Sequence, residues 1–129
     1  NLGNLAKNHK EKLLKIISLY NKNKNMIGYG ASARSSTLLN YLKLNNKTIS
    51  KIIDANPLKK NLFTPGSNIK ISLPYKKVIN RSDVILLLAW NFKNEILKNL
   101  KKMKFKGDII IPLPNIKIIK KNENIKNKI

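Results

Sequence analysis

The run Asn25-Met26-Ile27-Gly28-Tyr29-Gly30-Ala31-Ser32-Ala33-Arg34 reads as a short apolar strand that enters a glycine turn and opens a helix. Its G-x-G-x-x-A pattern is the spacing of loops that cradle nucleotide phosphates. In such a loop Gly28 permits a tight turn, Gly30 lets the backbone approach a phosphate, and Ala33 lets helix and strand pack closely. The helix N-terminus would present free N–H donors and the positive end of a dipole to an anion. The same small residues also suit a strand-to-helix turn that binds nothing. Asp54 follows the loop by roughly 20 residues, where a dinucleotide fold places the carboxylate that accepts ribose hydroxyls. It can equally cap the turn at Asn56-Pro57. Trp90, the single tryptophan, could stack on a base or sugar, or fill a gap in the core. Asn91 could bond a ligand or cap the helix that starts at Phe92. Arg34 and Lys60 could pair with a diphosphate, or stand as two solvated cations in a basic chain.

The surrounding pattern supplies elements to hold these residues. Leu2 to Lys24 has apolar positions Leu5, Leu13, Ile16, Ile17 and Tyr20 at helical spacing, which predicts an amphipathic leading helix with one face on a domain and one in solvent. Strands are expected at Met26–Gly28, Ile49–Asp54, Ile69–Leu73, Asp83–Leu88 and Asp108–Leu113. Helices are expected over about Ser32–Leu42, Pro74–Asn80 and Phe92–Lys104, the last stopped by Gly107. Leu58 to Ser67 reads as a loop turning at Pro65-Gly66, and Ile116 to Ile129 as a tail that frays after its first few residues. The chain thus divides into a leading helix (1–24), a domain (25–115) and a basic tail (116–129). Alternation of strand and helix predicts a Rossmann-like three-layer α/β domain with a mostly parallel sheet of about five strands, in flavodoxin-like or half-Rossmann order. That architecture would gather the loops after Ile27, Ile53 and Leu88 at one sheet edge.

Composition excludes several chemistries. At 129 residues with 42% hydrophobic content the chain suits one domain with a real core. Zero cysteines rule out disulfides, thiolate metal sites and a cysteine nucleophile, and the lone histidine, His9, cannot form a histidine cluster. Asp83, Asp108, Glu95 and Glu123 show no pairing that suits general acid–base work, so the chain reads as a binder rather than a complete catalyst. The net charge of +21 suggests polyanions, but Lys, Asn and Ile make up about half the sequence, as an AT-rich genome produces. The lysines are spread along the chain and only Arg34 and Arg81 are arginines, so specific nucleic-acid binding is not expected. No spanning segment or leader pattern is visible, which points to a soluble cytoplasmic protein without membrane attachment. The opening on Asn1 predicts a piece of a longer polypeptide.

Five motifs occur together: Gly28-Tyr29-Gly30-Ala31 followed by Thr37-Leu38-Leu39-Asn40-Tyr41, then Asp54-x-Asn56-Pro57-x-Lys59, Thr64-Pro65-Gly66 before Ile69, Leu86 to Phe92 around Ala89-Trp90-Asn91, and Ile111-Pro112-Leu113-Pro114. In this order they resemble the C-terminal domain of S-adenosylmethionine-dependent C-methyltransferases that act on nucleotide-linked deoxysugars. The resemblance implies upstream zinc-binding and methyltransferase domains that hold the zinc, the methyl donor and the catalytic His and Glu, with no cofactor bound here. It implies that this unit anchors a nucleotide-sugar, a dTDP-sugar above others. Gly28, Tyr29, Gly30, Ala31 and Ser32 would face its phosphates or sugar, Asp54 and Asn56 would border the nucleoside, and Trp90 and Asn91 would shape the pocket wall. Arg34 stands where lysine is usual and Lys60-Asn61 replaces a common Gln-Gly, which implies a changed base or sugar preference. A stand-alone nucleotide- or NAD-binding sensor and a basic nucleic-acid-associated protein are the alternatives.

Overall fold

Continuous apolar strands need cover on both faces, and the amphipathic segments between them provide it. The structure, a computed structural model, describes residues 6–121 and 123. Its elements are α1 (Lys7–Asn21), β1 (Met26–Tyr29), α2 (Ala33–Tyr41), β2 (Ile52–Ile53), a 3-10 turn (Pro57–Lys59), β3 (Ile71–Ser72), α3 (Lys76–Asn80), β4 (Val84–Leu87), a second 3-10 turn (Trp90–Phe92), α4 (Lys93–Lys102), β5 (Asp108–Ile111) and β6 (Lys117–Ile119). The sheet order is β3-β2-β1-β4-β5-β6, with β1 to β5 parallel and β6 antiparallel to β5. Of the two orders expected, this is the Rossmann-type one.

Side chains alternate across the pleat, so Val84, Leu86 and Leu88 enter one core cluster while Ile85 and Leu87 enter the other. Leu13 and Ile17 of α1 with Leu38 and Leu39 of α2 cover the first face; Ile79 of α3 with Ile96, Leu97 and Leu100 of α4 cover the second. Fully covered parallel strands explain the unbroken apolar run at β4.

Helix α1 is fastened at both ends of β5. Near its start His9 Nε2 donates to the Pro112 carbonyl at 2.9 Å, and near its end the Tyr20 hydroxyl donates to Asp108 Oδ2 at 2.6 Å. The helix therefore runs from the carboxyl edge of the sheet to the amino edge. Asn25 then locks the entry into β1: its N–H donates to Asp83 Oδ2 at 2.7 Å, and its side chain bonds Arg81 O and Ser50 Oγ. Asp83 and Asp108 thus serve the amino edge, away from the crevice, as their positions at strand beginnings implied.

Several expectations are corrected. Residues 117–119, read as the start of a fraying tail, form a sixth strand, because β5 otherwise leaves Ile109–Ile111 on an open edge and Ile119 finds burial there. The rest of that tail, residues 122 and 124–129, lies outside the described residues, as do residues 1–5. Ile49 to Asp54 yields only a two-residue strand. Helix α4 ends at Lys102, with Lys104 in the left-handed region (φ 57), before Gly107 is reached. Gly107 instead lies against the Asp83 carbonyl, where a side chain would collide.

The Thr64-Pro65-Gly66 motif has a structural explanation. Buried Thr64 Oγ1 accepts the Ile69 N–H at 2.9 Å and bonds Ser67 Oγ at 2.5 Å, while Asn40 Nδ2 on α2 donates to Pro65 O at 3.1 Å. The segment leading into this turn lies antiparallel along β3, with Asn61 N–H donating to Ile71 O and Ile71 N–H to Leu62 O.

Candidate functional site

Strand order reverses between β1 and β4, the position where open α/β sheets hold ligands. The loops after β1, β2 and β4 meet there. Gly30 has φ +105, and a Cβ on it would overlap Ala89 Cβ and lie 3.0 Å from the Ala89 nitrogen. Its N–H donates to Ile53 O at 2.7 Å. The lack of a side chain at this position therefore admits the β4 loop. Gly28 lies inside β1 rather than in the turn, and its bare Cα makes room for Ile52 and Leu88. Ala33 is exposed, so it is not the close-packing residue; Ala31 and Ser35 are buried in its place.

Asp54 ties the crevice together. Its Oδ2 accepts the Ala31 N–H at 2.9 Å and its Oδ1 accepts the Asn56 N–H at 2.8 Å. Asn56 Oδ1 in turn accepts the Leu58 N–H at 3.0 Å and caps the 3-10 turn. Lys59 Nζ closes the circuit, donating to the Ala31 carbonyl and standing 3.9 Å from Asp54 Oδ2. The capping role foreseen for Asp54 is real, and its bond to the glycine loop is additional. Lys59 belongs to the Asp54-x-Asn56-Pro57-x-Lys59 motif but is not among the residues that sequence reasoning places in the site; its position five residues after Asp54, across an Asn-Pro turn, is the available signal.

Of the remaining candidates, Tyr29 has a side chain that is 5% exposed and joins Ile53, Leu87 and Leu97 in the second core cluster. Burial, foremost, raises its phenol pKa above 10.0; a hydrogen bond with Asn99 opposes this, and the Asp54 charge adds to it. The folded state favours neutral Tyr29, so this contribution is complete below pH 10 and is lost as pH rises through the raised folded value. Tyr29→Phe is expected to reduce the alkaline loss of melting temperature between about pH 9 and pH 12. An unchanged alkaline slope would refute this.

Ser32 caps α2, its Oγ accepting the Ser35 N–H at 3.1 Å and its C=O the Ser36 N–H. Ala33 and Arg34 hold the first two helical positions, whose N–H groups have no carbonyl one turn back. Arg34 is exposed beside them. The N–H donors of the start of α2 thus sit at Ser32 to Arg34, just beyond the glycines. Trp90 is half-buried and touches both core clusters, wedging the carboxyl edge between the two layers. Asn91 is exposed and caps neither the second 3-10 turn nor α4. A shallow depression of about 330 Å³ runs along Trp90 to Glu95. Lys60 is exposed, its Nζ 5.5 Å from the Tyr75 ring centre, and is not drawn to the loop. A larger depression of about 700 Å³ lies at the amino edge among Lys24, Lys76, Lys104, Lys106 and Lys121. No loop of the crevice reaches it.

The family profile described as C-methyltransferase C-terminal domain matches residues 1–114. The chain belongs to this family. The C-methyltransferase NovU of Streptomyces niveus is 36% identical over 97 residues, which cover 74% of this chain and 23% of that relative. This C-terminal domain therefore spans about a quarter of the length of the curated relative it matches. Its crevice does not suit the pyrophosphate of a dinucleotide seated on the glycines: Ala89 occupies the space beside Gly30, and the Asp54 carboxylate holds the Ala31 N–H. Among the described residues no three His, Cys, Asp or Glu side chains are grouped to hold a metal, and no helix is long and apolar enough to cross a membrane.

Proposed function

We propose that this C-terminal domain anchors a nucleotide-linked deoxysugar, with a thymidine diphosphate carrier, beside an upstream methyltransferase domain. The observation that carries the reading is the crevice at the strand-order reversal, where the N-terminus of α2, Asp54 and half-buried Trp90 converge in a member of a C-methyltransferase family. The Ser32 to Arg34 end of α2 would receive the diphosphate through N–H donors and the dipole, with Arg34 adding a cation. The free face of Trp90 would take the base or sugar. S-adenosylmethionine and zinc would belong to the upstream domains, which would remove a proton beside a sugar carbonyl and pass a methyl group to that carbon. The share of this domain is orientation: holding the sugar at a fixed distance and angle removes entropy from the barrier.

An amide NMR titration at physiological salt with dTDP, UDP, NAD and inorganic pyrophosphate tests this. Saturable shifts are expected at the Ser32, Ala33 and Arg34 amides and the Trp90 indole with dTDP, exceeding those with UDP and absent with pyrophosphate. Preference for NAD would support the sensing module instead. Equal, diffuse shifts with every anion, fading as salt rises, would reduce binding to charge attraction.

A further inference from the structure

Five lysines line one depression at the amino edge of the sheet, opposite the crevice, and they come from four separate parts of the chain. Lys24 lies between α1 and β1, Lys76 opens α3, Lys104 and Lys106 lie between α4 and β5, and Lys121 follows β6. The depression holds about 700 Å³, the scale of a small-molecule site. Against the five lysines stand two carboxylates, Asp83 and Asp108, so the lining carries a net charge of +3. Both carboxylates are already engaged by the scaffold. Asp83 Oδ2 accepts the Asn25 N–H, while Asp108 accepts the Tyr20 hydroxyl through Oδ2 and the Lys121 N–H through Oδ1 at 2.7 Å. Among the described residues the ion pairs use Lys7, Lys59 and Lys120, so none of the five lysines is paired with a carboxylate.

Ammonium groups that converge on a concave surface raise the local positive potential, and an anion of several charges lodged between them relieves their mutual repulsion. Three features choose the anion. Lysine presents strongly hydrated point charges, which suit phosphate oxygens without the planar fork that arginine brings to base edges. The lining includes no aromatic ring, so a nucleobase finds no stacking face. The five lysines line a single hollow rather than follow a stripe, which matches a compact anion better than the backbone of a duplex. We infer that the amino-edge depression binds a compact polyphosphate group, held by the ammonium groups of Lys24, Lys76, Lys104, Lys106 and Lys121. This site is separate from the crevice and does not depend on the nucleotide-sugar proposed there.

The probe is inorganic triphosphate, titrated into the isotope-labelled chain at physiological salt, with sulfate at equal ionic strength as control. Saturable amide shifts are expected at Lys104, Lys106, Gly107 and Asp108, with sulfate binding about tenfold more weakly or less still. Adenosine triphosphate in a parallel titration distinguishes a free polyphosphate from one carried by a nucleoside; equal affinity is expected, and tighter binding at the same amides would assign the phosphates to a nucleoside. Two triple variants separate the site from total charge: Lys76→Gln/Lys104→Gln/Lys106→Gln, and Lys12→Gln/Lys47→Gln/Lys98→Gln, whose exposed lysines lie outside the depression. Both remove the same charge and are expected to melt like the parent chain. The first is expected to weaken triphosphate binding by about tenfold or more and the second by less than about twofold. Equal weakening by the two variants would overturn the inference, because binding would then follow net charge alone. In the unaltered chain, shifts spread over the whole lysine-bearing surface, or confined to Ser32 to Arg34, would overturn it as well. So would displacement of triphosphate by a short DNA duplex at an equal concentration of phosphate groups, since the occupant would then be a nucleic acid.

Discussion

Gly30→Ala is expected to destabilise the fold by about 3–5 kcal/mol, from a positive-φ strain and an overpacking cost that add. The two do not relieve each other. At φ +105 a side chain is strained in any surroundings, and the obstructing atoms are the Cβ, nitrogen and Cα of Ala89, which cannot rotate away. The comparison is Gly28→Ala, whose Cβ would meet the Cδ1 atoms of Ile52 and Leu88 at 2.7 Å, both ends of flexible side chains. That variant is expected to cost about 1–2 kcal/mol. Urea midpoints at equal slope separate the two. Equal midpoints would show that the approach of the β1 and β4 loops is not rigid.

Asp54→Ala has the second largest expected effect, about 2 kcal/mol, because it orphans the part-buried Ala31 N–H and removes the acceptor of the exposed Asn56 N–H. The Ala31 and Asn56 N–H groups lose their acceptor, and Lys59 loses its counter-charge. The Lys59 attraction adds little by itself, since that side chain is 36% exposed and solvent screens it. Lys59→Met is accordingly expected to cost under about 1 kcal/mol. Hydrogen exchange at the Ala31 amide gives an independent readout. Asp54→Ala should accelerate it well beyond the change in global stability, and unaltered protection would mean that the carboxylate does not hold the loop.

The sheet was readable because its signals are local. Apolar runs at Val84–Leu87 and Asp108–Ile111 are long enough to show full burial, and the amphipathic stretches that cover them keep helical period. β6 was not readable, since three residues in an Asn/Lys-rich stretch become a strand only when β5 offers an open edge. The short β2 and β3 were overextended because apolar residues such as Ile49 and Ile69 are buried without joining the ladder. At the crevice, sequence identified the three loops that meet but not what fills the space between them. A G-x-G-x-x-A pattern looks the same whether Gly30 faces a phosphate or Ala89. Tyr29 could not be assigned from its neighbours either: strand geometry turns it into the second core layer, while its backbone borders the loop. The double role of Asp54 and the part played by Lys59 depend on pairs 23 and 28 residues distant from Ala31, which pattern alone does not connect.

Helix α1 spans 15 residues, about 22 Å, and is clamped near its two ends to Asp108, which opens β5, and to Pro112, which follows it. Its junction with β1 is held by the Asn25 hydrogen bonds. Those bonds resist hinge motion at the junction. A torque applied ahead of α1 turns the helix and the sheet as one rigid lever, and carries the crevice with it.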